Sequence, residues 1–257
     1  LAEPAYEVTA IRYGSLRAPR SELFQGLGEG GEPAEEVEMA YYFWLLRSPQ
    51  RTVLVDTGFD PAVAARRGRV CEVEPLAALA AHGVAPEQVD AVVITHFHYD
   101  HVGNVGAFPA AELIVSRREL EFWTGAEARE PRFAAHVEPA EVEAIAAAVT
   151  GERGRTTSGE EEILPGVRSI EVGGHSPGQL VLVVSTGSGS AVLASDAVHF
   201  YEELERRRPF AIQADLGATE AAYRRIEALA REPGTVVFAG HDPLVMQRFP
   251  GGRYGPD

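Results

Sequence analysis

The 257-residue sequence predicts an α/β fold of layered sheets and helices, and three observations carry that expectation. Short β-branched and aromatic runs alternate with alanine-rich stretches at helical spacing, the pattern of strands interleaved with helices. Hydrophobic residues make up 45% of the chain, enough for one sizeable core. Five apolar runs each lead to a polar residue suited to metal binding, so the chemistry is expected on loops at strand ends.

The expected strands are 7–12, 40–47, 52–55, 91–95, 112–115, 167–172, 179–184, 191–194 and 235–239, all rich in Val, Ile, Leu or aromatic residues. Helices are expected at 75–81, 117–122, 139–149 and 219–231. In the last, Ala222, Ile226, Leu229 and Ala230 recur at helical spacing as a core stripe. Residues 26–38 are glycine-rich and acidic and read as a loop, as do 150–162. Neither is long enough to link independent domains and no repeat is present, so 1–257 is expected to form one domain. The aromatic run 39–46 suits a core strand or a dimer contact, which leaves a homodimer open.

Composition removes several function classes. No apolar run is long enough to span a bilayer, so no membrane partner is expected. The first six residues lack the basic start and apolar stretch of a secretory signal, and the single cysteine, Cys71, suits a reducing compartment. A cytoplasmic protein is the expectation. The formal net charge is −15, and all 23 basic residues are arginine. A surface this acidic repels phosphate backbones, which speaks against a nucleic-acid partner. Arg206, Arg207 and Arg208 form the one dense basic run, expected to be a solvated face.

The strand at 52–55 runs into Asp56, that at 91–95 into His96, and that at 167–172 reaches His175 after two glycines. Those at 191–194 and 235–239 lead to Asp196 and His241. The densest cluster is His96-Phe97-His98-Tyr99-Asp100-His101, four candidate ligands just past a buried strand. Imidazole and carboxylate suit zinc, and also iron, manganese or cobalt. His96 and His98, two apart in an extended segment, can point the same way. Asp100 and His101 follow where the chain turns and can face a second ion. A lone buried histidine is usually a hydrogen-bonded core residue, but four such groups are too costly to bury unpaired.

The His-x-His-x-Asp-His run resembles the signature of the metallo-β-lactamase superfamily, whose fold is a four-layer αββα sandwich of two mixed sheets flanked by helices. Asp56-Thr57-Gly58, Gly174-His175-Ser176-Pro177-Gly178, Ser195-Asp196 and Gly240-His241 extend the resemblance over most of the chain. It implies one metal ion held by His96, His98 and His175, a second held by Asp100, His101 and His241, and Asp196 bridging both. Asp56 is expected to orient a ligand histidine, since metal-bound imidazoles donate their other nitrogen to a carboxylate or carbonyl. His136, in a helical insert, is expected at the surface or in a lid.

Two cations sharing a water lower its pKa and polarise a carbonyl, which suits hydrolysis of esters, lactones, thioesters, amides or phosphoesters. Asp100 is the candidate to pass a proton to the leaving group. Metallo-β-lactamases proper lack the bridging aspartate. Glyoxalase II-like thioesterases add a C-terminal helical domain, and the RNA-processing branches carry basic exosites or large insertions. The chain is most similar to the N-acyl homoserine lactonase family. The implied activity is opening of a lactone or related carboxylic ester by a hydroxide bridging two divalent ions, with zinc the expected metal. A thioesterase or phosphodiesterase using the same ions is the alternative, and the complete ligand set speaks against a scaffold without turnover. Where the family has a tyrosine three residues after the bridging aspartate, this chain has His199, then Phe200 and Tyr201. Either His199 or Tyr201 is expected to meet the substrate carbonyl. Phe59, Phe122, Trp123 and Phe133 are expected in the core, with an acyl pocket as the alternative.

Overall fold

Alternate residues of one long strand face two different cores, and that alternation builds the layers. The computed structural model describes residues 5–27, 35–151 and 153–256. The first sheet holds β1 (Glu7–Pro19), β2 (Glu36–Arg47), β3 (Thr52–Val55), β4 (Val70–Cys71), β5 (Ala91–Ile94), β6 (Glu112–Ser116) and β7 (Gly154–Thr157). The second holds β8 (Glu160–Leu164), β9 (Val167–Glu171), β10 (Leu180–Thr186), β11 (Gly189–Leu193) and β12 (Thr235–Phe238). A last strand, β13 (Arg253–Tyr254), returns to the edge of the first. The first runs in the order β13-β1-β2-β3-β5-β6-β7, with β4 against β1, and the second runs β12-β11-β10-β9-β8. Both are mixed. β3, β5, β6 and β7 are parallel neighbours, as are β11 and β12, while the other pairs are antiparallel.

Helices α1 (Arg20–Leu23), α2 (Pro61–Arg66), α3 (Pro75–Ala81) and α4 (Tyr99–Val102) precede β6. Between β6 and β7 lie α5 (Arg117–Thr124), α6 (Pro131–Ala134) and α7 (Pro139–Thr150). Between β11 and β12 lie α8 (Tyr201–Arg206) and α9 (Leu216–Ala230), and α10 (Val245–Arg248) follows.

In β2, Ala40, Tyr42, Trp44 and Leu46 share a core with Val181, Val192 and Leu193 of the second sheet. Met39, Tyr41, Phe43 and Leu45 point the other way and share a core with Val63 of α2, Leu79 of α3 and Ile145 of α7. Helix α9 brings Ala222, Tyr223, Ile226 and Leu229 to the core of the second sheet. The product is an αββα sandwich. Residues 39–46 are all buried within the chain, so this run serves the core and not a dimer contact. Among the described residues, no helix is long and apolar enough to cross a membrane. Arg206 and Arg208 sit 3.4 and 3.8 Å from Glu202, and Arg207 pairs with Glu227 at 2.6 Å, so the basic run is spent on ion pairs.

Three expectations change. Residues 150–162, read as a loop, carry β7 and the start of β8. The Gly-Arg-Thr-Thr of β7 has no apolar alternation and forms a strand because the edge of β6 offers it hydrogen bonds. β1 runs to Pro19 instead of stopping at residue 12, through a bulge between Arg12 and Gly14. Of the loop expected at 26–38, residues 28–34 lie outside the described residues, and β2 already begins at Glu36.

On α7, burial first and then the like charges of Glu138 and Asp60 push the Glu141 carboxyl up to about 8, and its Oε2 has no hydrogen-bond partner. Asp100 adds to the push and Arg67 opposes it. A carboxyl raised on folding contributes stability below its unfolded pKa, and that contribution is lost as pH rises through the folded value. Glu141→Gln should therefore match the parent in thermal stability near pH 4 and exceed it at pH 8. Parallel melting-temperature profiles over that interval would count against this account.

Candidate metal centre

Strand direction puts the candidate ligands on one rim. β5 ends at Ile94, and the extended residues after it carry His96 and His98. His98 then caps α4, whose first turn holds Asp100 and His101. β9 leads to His175, β11 to Asp196 and β12 to His241. All seven side chains are buried. Nitrogens of His96, His98 and His175 form one group whose ligand atoms lie within 4.8 Å of one another, and Asp100, His101, Asp196 and His241 form a second. Asp196 links them. Its Oδ1 is 3.2 Å from His101 Nε2 and 3.0 Å from His241 Nε2, while its Oδ2 is 3.3 Å from His175 Nε2 and 3.8 Å from His96 Nε2.

The donor set fits cations by its spare lone pairs. His101 Nδ1 lies 2.8 Å from Asp56 Oδ2, His175 Nδ1 lies 2.9 Å from the Ile212 carbonyl, and His241 Nδ1 lies 2.8 Å from the Ala40 carbonyl. Each Nδ1 donates to its acceptor, so Nε2 is the nitrogen left facing the cluster, a lone pair whenever it carries no proton. The Thr95 hydroxyl donates to Asp56 at 2.8 Å, so it accepts from the Ser195 hydroxyl at 2.8 Å and from His96 Nδ1 at 3.2 Å. The Nε2 atoms of His96 and His101 are buried without a hydrogen-bond partner. His98 Nδ1 and His175 Nε2 face each other at 2.9 Å. Orphaned and opposed imidazole nitrogens at such density suit divalent ions.

Electrostatics separates the groups. Burial, with help from neighbouring imidazoles, drops His96 and His98 well below the ordinary histidine range, and burial takes His175 to about 3. These three imidazoles are neutral. At His101 the same burial is overcome by the carboxylates of Asp196, Asp100 and Asp56, which raise it well above that range. Burial would raise Asp196, but His241, His101 and His199 hold it well below the usual carboxylate range.

Asp56 follows β3 and Ser195 follows β11, and both adopt positive φ, 63° and 46°. Backbone strain of this kind concentrates at functional sites. In that conformation Asp56 reaches the Thr95 N–H, the Thr95 hydroxyl and His101. One carboxylate thus orients a residue of each group.

His199 lines the central cavity of about 360 Å³. It stacks on Phe210 at 3.8 Å and sits 3.1 Å from Asp196 and 3.4 Å from Glu203, without an aligned hydrogen bond to either. Burial would lower it, and those two carboxylates instead raise it to about 9. The structure does not bring Tyr201 to this cavity. As the first residue of α8 it turns away, donates its hydroxyl to the Val237 carbonyl at 2.9 Å, and packs under Arg248. His136 lies nearer than a surface residue would, its ring 5.2 Å from His98, dividing the cavity from a second lobe of about 340 Å³. Of the four aromatic residues in question, Phe59 is core beside Tyr13 and Tyr41, Trp123 and Phe133 line the second lobe, and Phe122 packs between those two.

Sequence reasoning missed Glu119. On the first turn of α5 and fully buried, its carboxylate accepts from Phe97 N–H (3.1 Å), Trp123 Nε1 (2.7 Å), the Ser176 hydroxyl (2.5 Å) and Gly178 N–H (2.6 Å). It ties the loop of His96 and His98 to the loop of His175. Gly178 is the only fit for that approach, since a Cβ there would lie 2.4 Å from Ser116 Oγ and 2.5 Å from the Glu119 nitrogen. The one sequence signal is Ser116 three residues before Glu119, a helix-start pattern that says nothing of the destination.

The metallo-β-lactamase superfamily profile matches residues 39–241, and the chain belongs to that superfamily. It is a metallo-hydrolase of that class. Its relatives include an N-acyl homoserine lactonase of Bacillus sp, 27% identical over 225 residues that span 82% of this chain and 84% of the relative. A solved quorum-quenching N-acyl homoserine lactone lactonase superposes with a TM-score of 0.77 at 23% identity, over 96% of this chain and 97% of the other. A dizinc quorum-quenching lactonase in complex with a product gives 0.74 at 19% identity, over 98% and 91%. At such identities the likeness to both structures is one of fold.

Glu119→Gln replaces one of two accepting oxygens by a donor. It should lower metal affinity about 10–100-fold in a chelator competition, as loss of a ligand-orienting carboxylate does. Unchanged affinity would show that the two loops hold their geometry without it.

Proposed function

We propose that the chain is a dinuclear hydrolase that opens a lactone or closely related carboxylic ester, with zinc as the metal. The observation that carries the reading is Asp196, which turns one carboxylate oxygen to each of two imidazole groups. His96, His98 and His175 would hold one ion, Asp100, His101 and His241 the other, and Asp196 both. Bound there, the ions supply Lewis acidity toward the ester carbonyl and acidify water.

The chain's own residues supply the rest. Asp100, on the cavity wall and 3.5 Å from His101, which holds its carboxyl below the ordinary range against burial, is the carboxylate that takes the proton given up by the attacking water and passes it to the leaving alkoxide. His199 is assigned the hydrogen bond to the substrate carbonyl, supported by its place on that wall and by the engagement of the Tyr201 hydroxyl elsewhere. Trp123, Phe133 and Ile212 give the second lobe an apolar lining suited to an acyl chain. Lactonases among the relatives support lactone over other esters, and the dizinc lactonase structure supports zinc.

The test is a pH-drop assay of the zinc-loaded protein on short and long acyl-homoserine lactones, simple γ- and δ-lactones, a thioester and a phosphodiester. Lactone opening should reach a kcat/KM on the order of 10⁴ M⁻¹s⁻¹ or more, fall on chelation and return with added metal. Turnover of the thioester or phosphodiester alone would overturn the choice of bond. Compared at equal metal loading, Asp100→Asn should lose about 10²–10⁴-fold in kcat on an alkyl lactone, and far less on an aryl ester whose phenolate leaves without a proton. Equal losses on both substrates would remove Asp100 from the proton-transfer role.

A further inference from the structure

The chain carries 15 more negative than positive charges, yet three arginines, Arg17, Arg67 and Arg69, line the central cavity. Among the described residues, Glu22 is the one carboxylate on the same lining outside the candidate metal cluster. Two of the arginines have partners. Arg17 is 67% exposed and 3.6 Å from Glu36, and Arg67 pairs with Glu138 at 2.8 Å while lying 4.2 Å over the Tyr99 ring. Arg69 differs. Among the described residues no carboxylate lies within 4.0 Å of it, and it is half-buried.

What holds Arg69 is neutral. Its Nε donates to the Tyr99 hydroxyl at 2.9 Å and its Nη1 to the Arg67 carbonyl at 2.6 Å. Gly68, at φ 68°, turns the chain between the two arginines so that both line the cavity. Nη2 makes no hydrogen bond to a described residue and is not sealed from solvent. The guanidinium is thus fixed at one edge and has no direct carboxylate partner at the other, Asp100 acting on it only from beyond ion-pair distance, on a wall shared with His98, Tyr99 and Asp100. A fork held this way loses little freedom on binding an oxyanion, and charge-assisted bonds to it are strong. Across His136, the second lobe has one arginine, Arg132, which is 69% exposed and paired with Glu130 at 3.0 Å.

We infer that Arg69 is a specificity determinant for a second, anionic group on the substrate, a carboxylate or phosphate-type oxyanion on the side of the scissile bond away from the apolar lobe. The inference rests on the hydrolase reading above and narrows it, because simple acyl-homoserine lactones carry no such group.

The probes are γ-butyrolactones that carry a carboxylate, a carboxamide or a phosphonate on the ring carbon next to the ring oxygen, on the leaving-group side of the scissile bond, assayed with the zinc-loaded full chain. The parent should prefer one or both anions over the amide on the order of 10–100-fold in kcat/KM, chiefly through KM. Which anion leads identifies the oxyanion. Arg69→Gln should abolish that preference while leaving turnover of the amide within about twofold, and Arg69→Lys should keep part of it. Equal turnover of all three probes by the parent, or an equal fall on all three in Arg69→Gln, would overturn the inference. If none of the lactones opens, the hydrolase reading fails on its own, and calorimetry with the ring-opened products judges Arg69 separately. Tighter binding of the anionic products, lost in Arg69→Gln, still supports the anion site, and equal binding of all of them rejects it.

Discussion

Asp196 meets His241 Nε2 at 3.0 Å through one oxygen and His175 Nε2 at 3.3 Å through the other, in a site where every neighbouring ring is buried. An isolated carboxylate or imidazolium at such depth would shed its charge. Here the groups are charged or neutral according to who faces them. Three imidazoles stay neutral and two, His101 and His199, are driven up, and the carboxylates between them are held down by histidines. That arrangement is stable only if positions are fixed to within tenths of an ångström, and the remainder of the fold answers that requirement. The rings of His96, His101, His175 and His241 each have the outer nitrogen committed to a carbonyl, a hydroxyl or a carboxylate, so rotation of any of these four breaks that bond.

Rigidity comes from the sandwich. The candidate ligands emerge from β5 inside the first sheet and from β9, β11 and the edge strand β12 of the second, and the carboxylates of Asp56 and Glu119 cross between loops that are far apart in sequence. Asp56 couples the two metal groups through Thr95 and His101, and Glu119 couples the two loops that feed the first group. Both are buried, and burial pushes both carboxyls upward while their donors pull them back. Strain at Asp56 and Ser195 is the local cost of bringing two strand ends to one point, and the packed sheets on either side hold it in place.

Much of this was legible in the sequence because the signals are local. Buried strands such as 52–55 declare themselves by β-branched content, and the run from His96 to His101 holds four candidate ligands within six residues. What escaped was set by partners distant in sequence. Strand β7 exists because β6 has a free edge, not because Gly-Arg-Thr-Thr favours extension. Glu119 reads as an ordinary glutamate on an amphipathic helix until the fold brings Ser176 and Gly178 to it. Tyr201 and His199 are two residues apart, and only the start of α8 between them decides which faces the cavity. Arg69 looks like one of many arginines in an arginine-only protein. Its distinction is the lack of a direct ion pair among the described residues, and no sequence pattern records that.

Chemistry and selectivity therefore reside in different parts of the chain. The reactive groups hang from strand ends whose spacing the two sheets dictate, so drift there is punished by several broken contacts at once. The cavity walls come instead from the turn around Gly68, from the insert that carries His136 and from the segment around Phe210 and Ile212. Arg67 fastens the first of these to the second, through the Ala135 carbonyl at 2.6 Å and Glu138 at 2.8 Å. A substitution in these walls can change what enters without disturbing Asp196 and its rings, because the walls touch the ligand-bearing loops through few bonds. One of them, the Tyr99 N–H to the His136 carbonyl at 3.0 Å, joins the insert directly to the turn that carries Asp100. That bond sets where the insert, and with it the wall between the two cavities, sits relative to the turn of Asp100.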